Sequence, residues 1–217
     1  MNKIICLKAA QVKRDGQMVL NNLNLSFYQS QRTAIVGANG VGKTTLLRTI
    51  VGLEALTKGE IRLFGQICQK EKDFRKQRAR IGFLFQESDD QLFCPTVLED
   101  VAFGPSNLGM SAQQAQNMAK KSLERLGIEH LAKRFTHRLS GGEKRLVCLA
   151  GLFAMQPDIL LLDEPTNGVD EKNRKRLEKA LMAYKGAILM VSHDQDFVKS
   201  ITNTCLQMHS GQLVTAA

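Results

Sequence analysis

The sequence has little of what marks exported or membrane-spanning proteins. Its five cysteines (Cys6, Cys68, Cys94, Cys148 and Cys205) are odd in number, widely spread and without a Cys-x-x-Cys pair. That spacing excludes a disulfide framework and a zinc site, and it suits a reducing cytosol. Long apolar runs are missing as well. The longest, Leu146–Met155, is about half of the ~20 residues that a bilayer span needs. Met1–Lys8 carries none of the charged start, apolar stretch and small-residue cleavage site of an export signal. No internal repeat or low-complexity segment is present.

What remains is the composition of a folded domain. Hydrophobic residues make up 43% and charged residues 24%, which excludes a disordered tail, a collagen-like chain and a coiled-coil rod. The 217 residues read as one domain, 1–217, long enough to bury a core. Thirty Lys and Arg against 21 Asp and Glu leave a net charge of +9. That suits an anionic partner such as nucleic acid, acidic lipid or a nucleotide, without choosing among them.

Two partly alternating apolar stretches, Ile4–Val12 and Val19–Phe27, flank Arg14-Asp15-Gly16 and predict an antiparallel hairpin. The rhythm then changes to short apolar runs at Thr33–Val36, Ile81–Phe85, Ile159–Leu162 and Ala187–Val191, the pattern of buried parallel strands. Between them, Lys43–Val51, Val97–Phe103, Ala112–Leu126, Glu143–Met155 and Glu171–Tyr184 have helical period. Thr96 with Glu99, and Ser111 with Gln114, have capping-box spacing at two of the helix starts. Strands alternating with helices predict an α/β fold, its mostly parallel sheet covered on both faces. The helix-rich stretch from about Ser88 to Leu139 interrupts the alternation and reads as an inserted helical subdomain.

Gly37-Ala38-Asn39-Gly40-Val41-Gly42-Lys43-Thr44 is a complete G-x-x-x-x-G-K-[ST] phosphate loop, placed after a strand and at the start of a helix. Its glycines let backbone N–H groups turn toward phosphate oxygens, and the helix start adds positive potential. Lys43 is expected to bridge the β- and γ-phosphates and the Thr44 hydroxyl to ligate Mg²⁺, with Thr45 next in the nucleotide-binding set. Ile159–Glu164 is a buried strand ending in two acids. In open α/β sheets, ligands bind at that end of the strands. Asp163 is placed to hold Mg²⁺ through water and Glu164 to polarise an attacking water. Leu139-Ser140-Gly141-Gly142-Glu143-Lys144-Arg145 starts another helix. It reads either as a second anion-binding helix start or as an ordinary N-cap with two flexible residues.

The phosphate loop, Gln86 after its strand, Leu139–Gly142, Leu162-Asp163-Glu164-Pro165-Thr166 and His193 in Ser192-His193-Asp194 follow one another in a fixed order. In that order the chain resembles an ABC-type ATPase from about Ile4 to Leu213. The resemblance implies a P-loop NTPase core with an antiparallel β subdomain and an inserted helical subdomain (about 88–140) that carries the signature at its end. It also implies ATP and Mg²⁺, and a homodimer or heterodimer, the homodimer expected here, that sandwiches two nucleotides. Each ATP then lies between the phosphate loop of one chain and Ser140, Gly141, Gly142 and Glu143 of the other. Gln86 is expected to contact Mg²⁺ beside Thr44 and Asp163 and to sense a membrane partner, His193 to contact the γ-phosphate, and Asp170 to line the dimer interface.

Phe85–Phe93 and Val97–Pro105 are similar to the ATPase subunit of energy-coupling-factor importers. Leu146–Met155 and Asn167-Gly168-Val169-Asp170 most resemble the nickel/cobalt branch, and biotin-type relatives differ at few positions. The expectation is an ATP-hydrolysing subunit that powers import of nickel or cobalt ions, with biotin or another vitamin as the alternative cargo. It is expected on the cytoplasmic face of the inner membrane, with a transmembrane scaffold docked near Gln86 and Asp89–Phe93 and a membrane substrate-binding subunit reached indirectly. Many such ATPases carry a C-terminal dimerisation region, which is expected to be missing from a chain ending at Ala217. A more distant alternative is a nucleic-acid- or ribosome-associated ABC ATPase, which the charge permits. Those relatives usually carry two ATPase modules, long coiled coils or zinc inserts, so no nucleic acid is expected.

Three departures stand out. Glu143 replaces the usual glutamine, as is common in this importer group. Asn-Gly-Val replaces Ser-Ala-Leu before Asp170, which is expected to alter communication across the dimer. No aromatic precedes the phosphate loop where adenine normally stacks; Val12 and Arg14 are the candidates. A guanidinium stacked on a purine is worth on the order of 1 kcal/mol, so weak adenine selectivity is expected. The basic stretches Lys70–Arg80 and Lys172–Lys179 read as solvated helix faces, with attraction to acidic lipid as the alternative. The methionines read as core filler. The histidines at 130, 137, 193 and 209 are too scattered for a metal site, so the subunit is not expected to bind a transported metal.

Overall fold

A computed structural model describes residues 2–215; Met1, Ala216 and Ala217, the ends of the domain read from sequence, lie outside the described residues. Strands β1 (Lys3–Arg14) and β2 (Gln17–Tyr28) form the expected hairpin. Its turn residues Asp15 and Gly16 both have positive φ, 50° and 79°, as tight right-twisted hairpins require. Two strands absent from the sequence reading, β4 (Lys58–Leu63) and β5 (Gln66–Ile67), extend this sheet in the order β2-β1-β4-β5. In β4 only Ile61 and Leu63 are buried, too short an alternation to stand out as a pattern.

The second sheet runs β10-β9-β3-β8-β7-β6, from β3 (Arg32–Val36), β6 (Ile81–Leu84), β7 (Ile159–Asp163), β8 (Ala187–Val191), β9 (Thr204–His209) and β10 (Gln212–Thr215). Neighbours are parallel except β10, which pairs antiparallel with β9. Successive residues of its central strands serve two different cores, as a strand's two faces dictate. Leu160, Leu162, Ile188 and Met190 pack with helices α3 (Val97–Asn107), α4 (Ala112–Leu126), α5 (Gly141–Ala154) and α6 (Glu171–Met182). Ile159, Leu161, Ala187 and Leu189 pack with the antiparallel sheet and α1 (Lys43–Ile50).

The exposed α2 (Glu71–Arg78) and the short α7 (Gln195–Ile201) complete the helices. Both capping boxes read from sequence are formed, Thr96 with Glu99 and Ser111 with Gln114. Helix α3 runs through Gly104-Pro105 to Asn107, where the sequence reading ends at Phe103. None of the described helices is long and apolar enough to cross a membrane.

Candidate functional site

The strand–loop–helix formed by β3 and α1 sets the floor of an open cleft of about 710 Å³. Gly42 is the residue before α1, left-handed at φ 104°, and α1 has no side-chain cap. A Cβ at Gly42 would stand 2.9 Å from the Val19 carbonyl oxygen, so glycine is required both for the turn and for the close passage of β2. With no side chain folded over it, the first turn of α1 keeps its N–H groups available to an anion. Asn39, Gly40, Gly42, Lys43, Thr44 and Thr45 line the cleft. Gly37, Ala38 and Val41 do not: Val41 packs on the core, and Gly37 and Ala38 contribute carbonyls. Lys43, only 7% exposed, donates from Nζ to those two carbonyls at 2.8 and 2.9 Å. Burial pulls its pKa below the ordinary lysine value, against the fields of Glu164 and Asp163.

Glu164, just past β7, and Val191 and His193, at and just past the end of β8, also line the cleft, whereas Asp163 sits behind it. Asp163, 1% exposed, accepts a 3.1 Å hydrogen bond from the Thr44 hydroxyl. Burial pushes its carboxyl above the usual range, opposed by that bond and by Arg145. Glu164 follows with φ 46°, a left-handed conformation that non-glycine residues rarely take. Its side chain accepts the His193 backbone N–H at 3.2 Å and lies 3.3 Å from His193 Nε2. Burial raises the Glu164 pKa as well, against the His193 N–H. A carboxylate with a raised pKa is a better proton acceptor near neutral pH. Gln86, from the end of β6, also lines the cleft.

Arg14 stands on the cleft wall. Val12, the other stacking candidate, does not: it is 1% exposed in the core, because the alternation of β1 turns it inward. Val19, Thr166, Asn167 and Asp194 line the cleft without having been assigned a place there. The first signal for Val19 was the hairpin itself, which folds β2 over the phosphate loop. Asp194 is the N-cap of α7 and takes two bonds from Arg174, at 2.9 and 3.1 Å.

The Ser140–Glu143 turn and Asp170 do not reach this cleft. They pack on each other: a Cβ at Gly142 would lie 3.0 Å from Asp170 Oδ2 and from Asn173 Nδ2. Ser140 caps α5 with its hydroxyl on the Glu143 N–H, and Glu143 Oε2 accepts the Ser140 N–H at 2.8 Å. Arg134 donates to the same carboxylate at 3.1 Å. Of the residues read from sequence, then, one set gathers in the cleft and a second set stands apart from it, within the same chain.

A phosphate loop, a buried carboxylate hydrogen-bonded to its threonine and a second carboxylate paired with a histidine define a P-loop ATPase. Residues 20–167 match the ABC transporter family, and the chain belongs to it as an ATP-hydrolysing transporter subunit. It is 53% identical over 216 residues to a putative ABC transporter ATP-binding protein of Brucella suis, covering 100% of this chain and 90% of that one. It is 38% identical to the energy-coupling factor transporter ATP-binding protein EcfA of Methanothermobacter thermautotrophicus, covering 92% of this chain and 66% of that one. Among solved structures it is similar to cbiO1 of Clostridium perfringens, part of the ABC transporter complex cbiONQ. There the TM-score is 0.86 at 32% identity, covering 99% of this chain and 88% of that one.

Proposed function

We propose that the chain is the ATPase subunit of an energy-coupling-factor-type importer of nickel or cobalt ions. In this reading it is a homodimer held at the cytoplasmic face of the membrane under a transmembrane scaffold. The observation that carries the reading is the segment after β6. Gln86 faces the cleft, and seven residues on, Phe93 is 63% exposed and stacked edge-to-face on the exposed Phe103, with centroids 4.6 Å apart. Asp89, between them in sequence, is tied to Lys144 of the α5 start at 2.5 Å. One continuous stretch thus joins the cleft, the signature helix and an exposed aromatic pair suited to an apolar partner surface. The likeness to EcfA and to cbiO1 supports the importer type, and the Asn167–Asp170 turn supports the cargo.

In the cleft, Lys43 and the start of α1 hold the nucleotide phosphates. The Thr44 hydroxyl, the Asp163 carboxylate and the Gln86 amide oxygen are all hard oxygen donors, and Thr44 and Asp163 already converge at 3.1 Å, so this set fits Mg²⁺. Bound there, the ion supplies charge neutralisation on the phosphates. Glu164 takes the proton of the attacking water, and His193, in contact with both Glu164 and Lys43 (3.4 Å), orients the terminal phosphate. Ser140 and Gly142 of the second chain close over that phosphate, and Asp170 lines the joint. Glu164→Gln is expected to leave nucleotide affinity unchanged and lower turnover about 100-fold or more, measured by fluorescent-nucleotide titration beside steady-state hydrolysis; full retained turnover refutes the role.

The importer reading is tested by mild-detergent capture of the tagged chain from its native membranes with mass-spectrometric identification of what accompanies it. A polytopic scaffold with a small membrane substrate-binder supports it, and metal or vitamin binding to that subunit decides the cargo. Recovery of ribosomal or nucleic-acid-bound proteins without a membrane partner overturns it.

A further inference from the structure

Arg145 is the largest fully buried side chain among the described residues, 1% exposed. A buried guanidinium is costly to desolvate and is ordinarily matched by a carboxylate. Among the described residues, this one forms no ion pair and is met by backbone carbonyls alone. Nε donates to Pro165 O at 3.1 Å. Nη1 donates to Phe85 O and, at 3.1 Å, to Gln86 O. Nη2 donates to Asp163 O at 2.7 Å and to Glu164 O. An arginine has five N–H groups in a rigid fork, and here each nitrogen is matched, five carbonyls in all, drawn from two separate segments.

Those segments are the two that deliver the chemistry. Phe85-Gln86 leaves β6 and carries the amide that faces the cleft, and Asp163-Glu164-Pro165 leaves β7 and carries both carboxylates. The arginine belongs to a third element, α5, whose first residues are the signature turn. Glu164 is left-handed at φ 46°, a conformation that costs free energy unless its surroundings impose it. Its N–H is held by Val191 O at 2.9 Å and its carbonyl by Arg145, so the peptide groups on both sides of its Cα are fixed.

We propose that Arg145 is a positioning residue for hydrolysis. Its fork locks the Gln86 and Glu164 backbones to the signature helix, so that the water-activating carboxylate is aimed only while α5 is seated. Movement of α5 is thereby transmitted to Glu164 through hydrogen bonds and not through any side chain of the cleft. A lysine cannot substitute, because one ammonium with three donors cannot span the two segments.

The proposal rests on the role given to Glu164, and one experiment separates the two. The full chain, Glu164→Gln, Arg145→Lys and Arg145→Met are compared for nucleotide affinity with a fluorescent ATP analogue and for hydrolysis per nucleotide-binding site. The expected result is affinity within about twofold of the parent for both Arg145 variants, with turnover per site lower by about 30-fold or more and lysine no better than methionine. Turnover per site within twofold of the parent in either variant overturns the proposal. So does loss of nucleotide binding in both, which assigns Arg145 to the fold alone. Retained turnover in Glu164→Gln overturns the reading of Glu164 instead.

Discussion

Among the described residues, the helix starts at α1 and α5 both carry glycine, and they are built in opposite ways. At α1 the N-cap is a left-handed glycine without a side-chain cap and the first turn holds no acid. The nearest charge is Lys43, and a cleft opens directly above. At α5 the N-cap is Ser140, its hydroxyl and N–H are both engaged by Glu143, and Arg134 neutralises the carboxylate. In the proposed reading the first is an anion site that one chain completes by itself. The second carries a complete capping box and lies outside the cleft, and in the proposed reading its phosphate comes from another chain. Similar local sequences are thus built in two ways, one helix start left uncapped and the other capped.

The largest effect that tests this contrast is at α1. Lys43→Ala removes the buried cation at the uncapped turn, and nucleotide affinity is expected to fall about 100-fold or more, read by titration with a fluorescent ATP analogue. An affinity within a few-fold of the parent would dissolve the distinction. A smaller effect is expected at α5. Glu143→Ala removes half of a capping box, worth about 1 kcal/mol, and thermal unfolding is expected to shift down by roughly 2–4 °C for a domain of this size. Nucleotide affinity of the single chain is expected to stay unchanged, since the turn does not reach the cleft. A fall in affinity would show that the two helix starts are coupled within one chain.

Much of the architecture was legible because its signals are local. The phosphate loop is eight consecutive residues, the two acids end an unbroken apolar strand, and two capping boxes sit at three-residue spacing. Ser140 with Glu143 has the same spacing, and its sequence reads either as an anion-binding helix start or as an ordinary N-cap. What escaped is what tertiary packing supplies. Strand β4 alternates over too few buried residues, and in β9 only Met208 is buried, so each is held by its neighbours more than by its own pattern. Val12 and Arg14, two residues apart, would share a face of a regular strand; the register shift after Val12 leaves Val12 in the core and Arg14 exposed at the strand end, on the cleft. Arg145 was invisible as a functional residue because its acceptors are carbonyls, which every residue carries. No side-chain pattern announces them.

The central claim is that the α5 start serves a nucleotide held by another chain, and Gly141→Asp tests it most directly. Gly141 is exposed, and a Cβ there meets nothing nearer than the Gly168 carbonyl oxygen at 3.5 Å. An acid in the first turn of a helix is favourable to the helix itself, so the single chain is expected to fold and bind nucleotide normally while repelling a partner's phosphate. Sedimentation of parent and variant with a non-hydrolysable ATP analogue and Mg²⁺ is the measurement. The account predicts a nucleotide-bound dimer for the parent and a nucleotide-bound monomer for the variant. A variant that dimerises as the parent does, or that no longer binds nucleotide as a monomer, would contradict it.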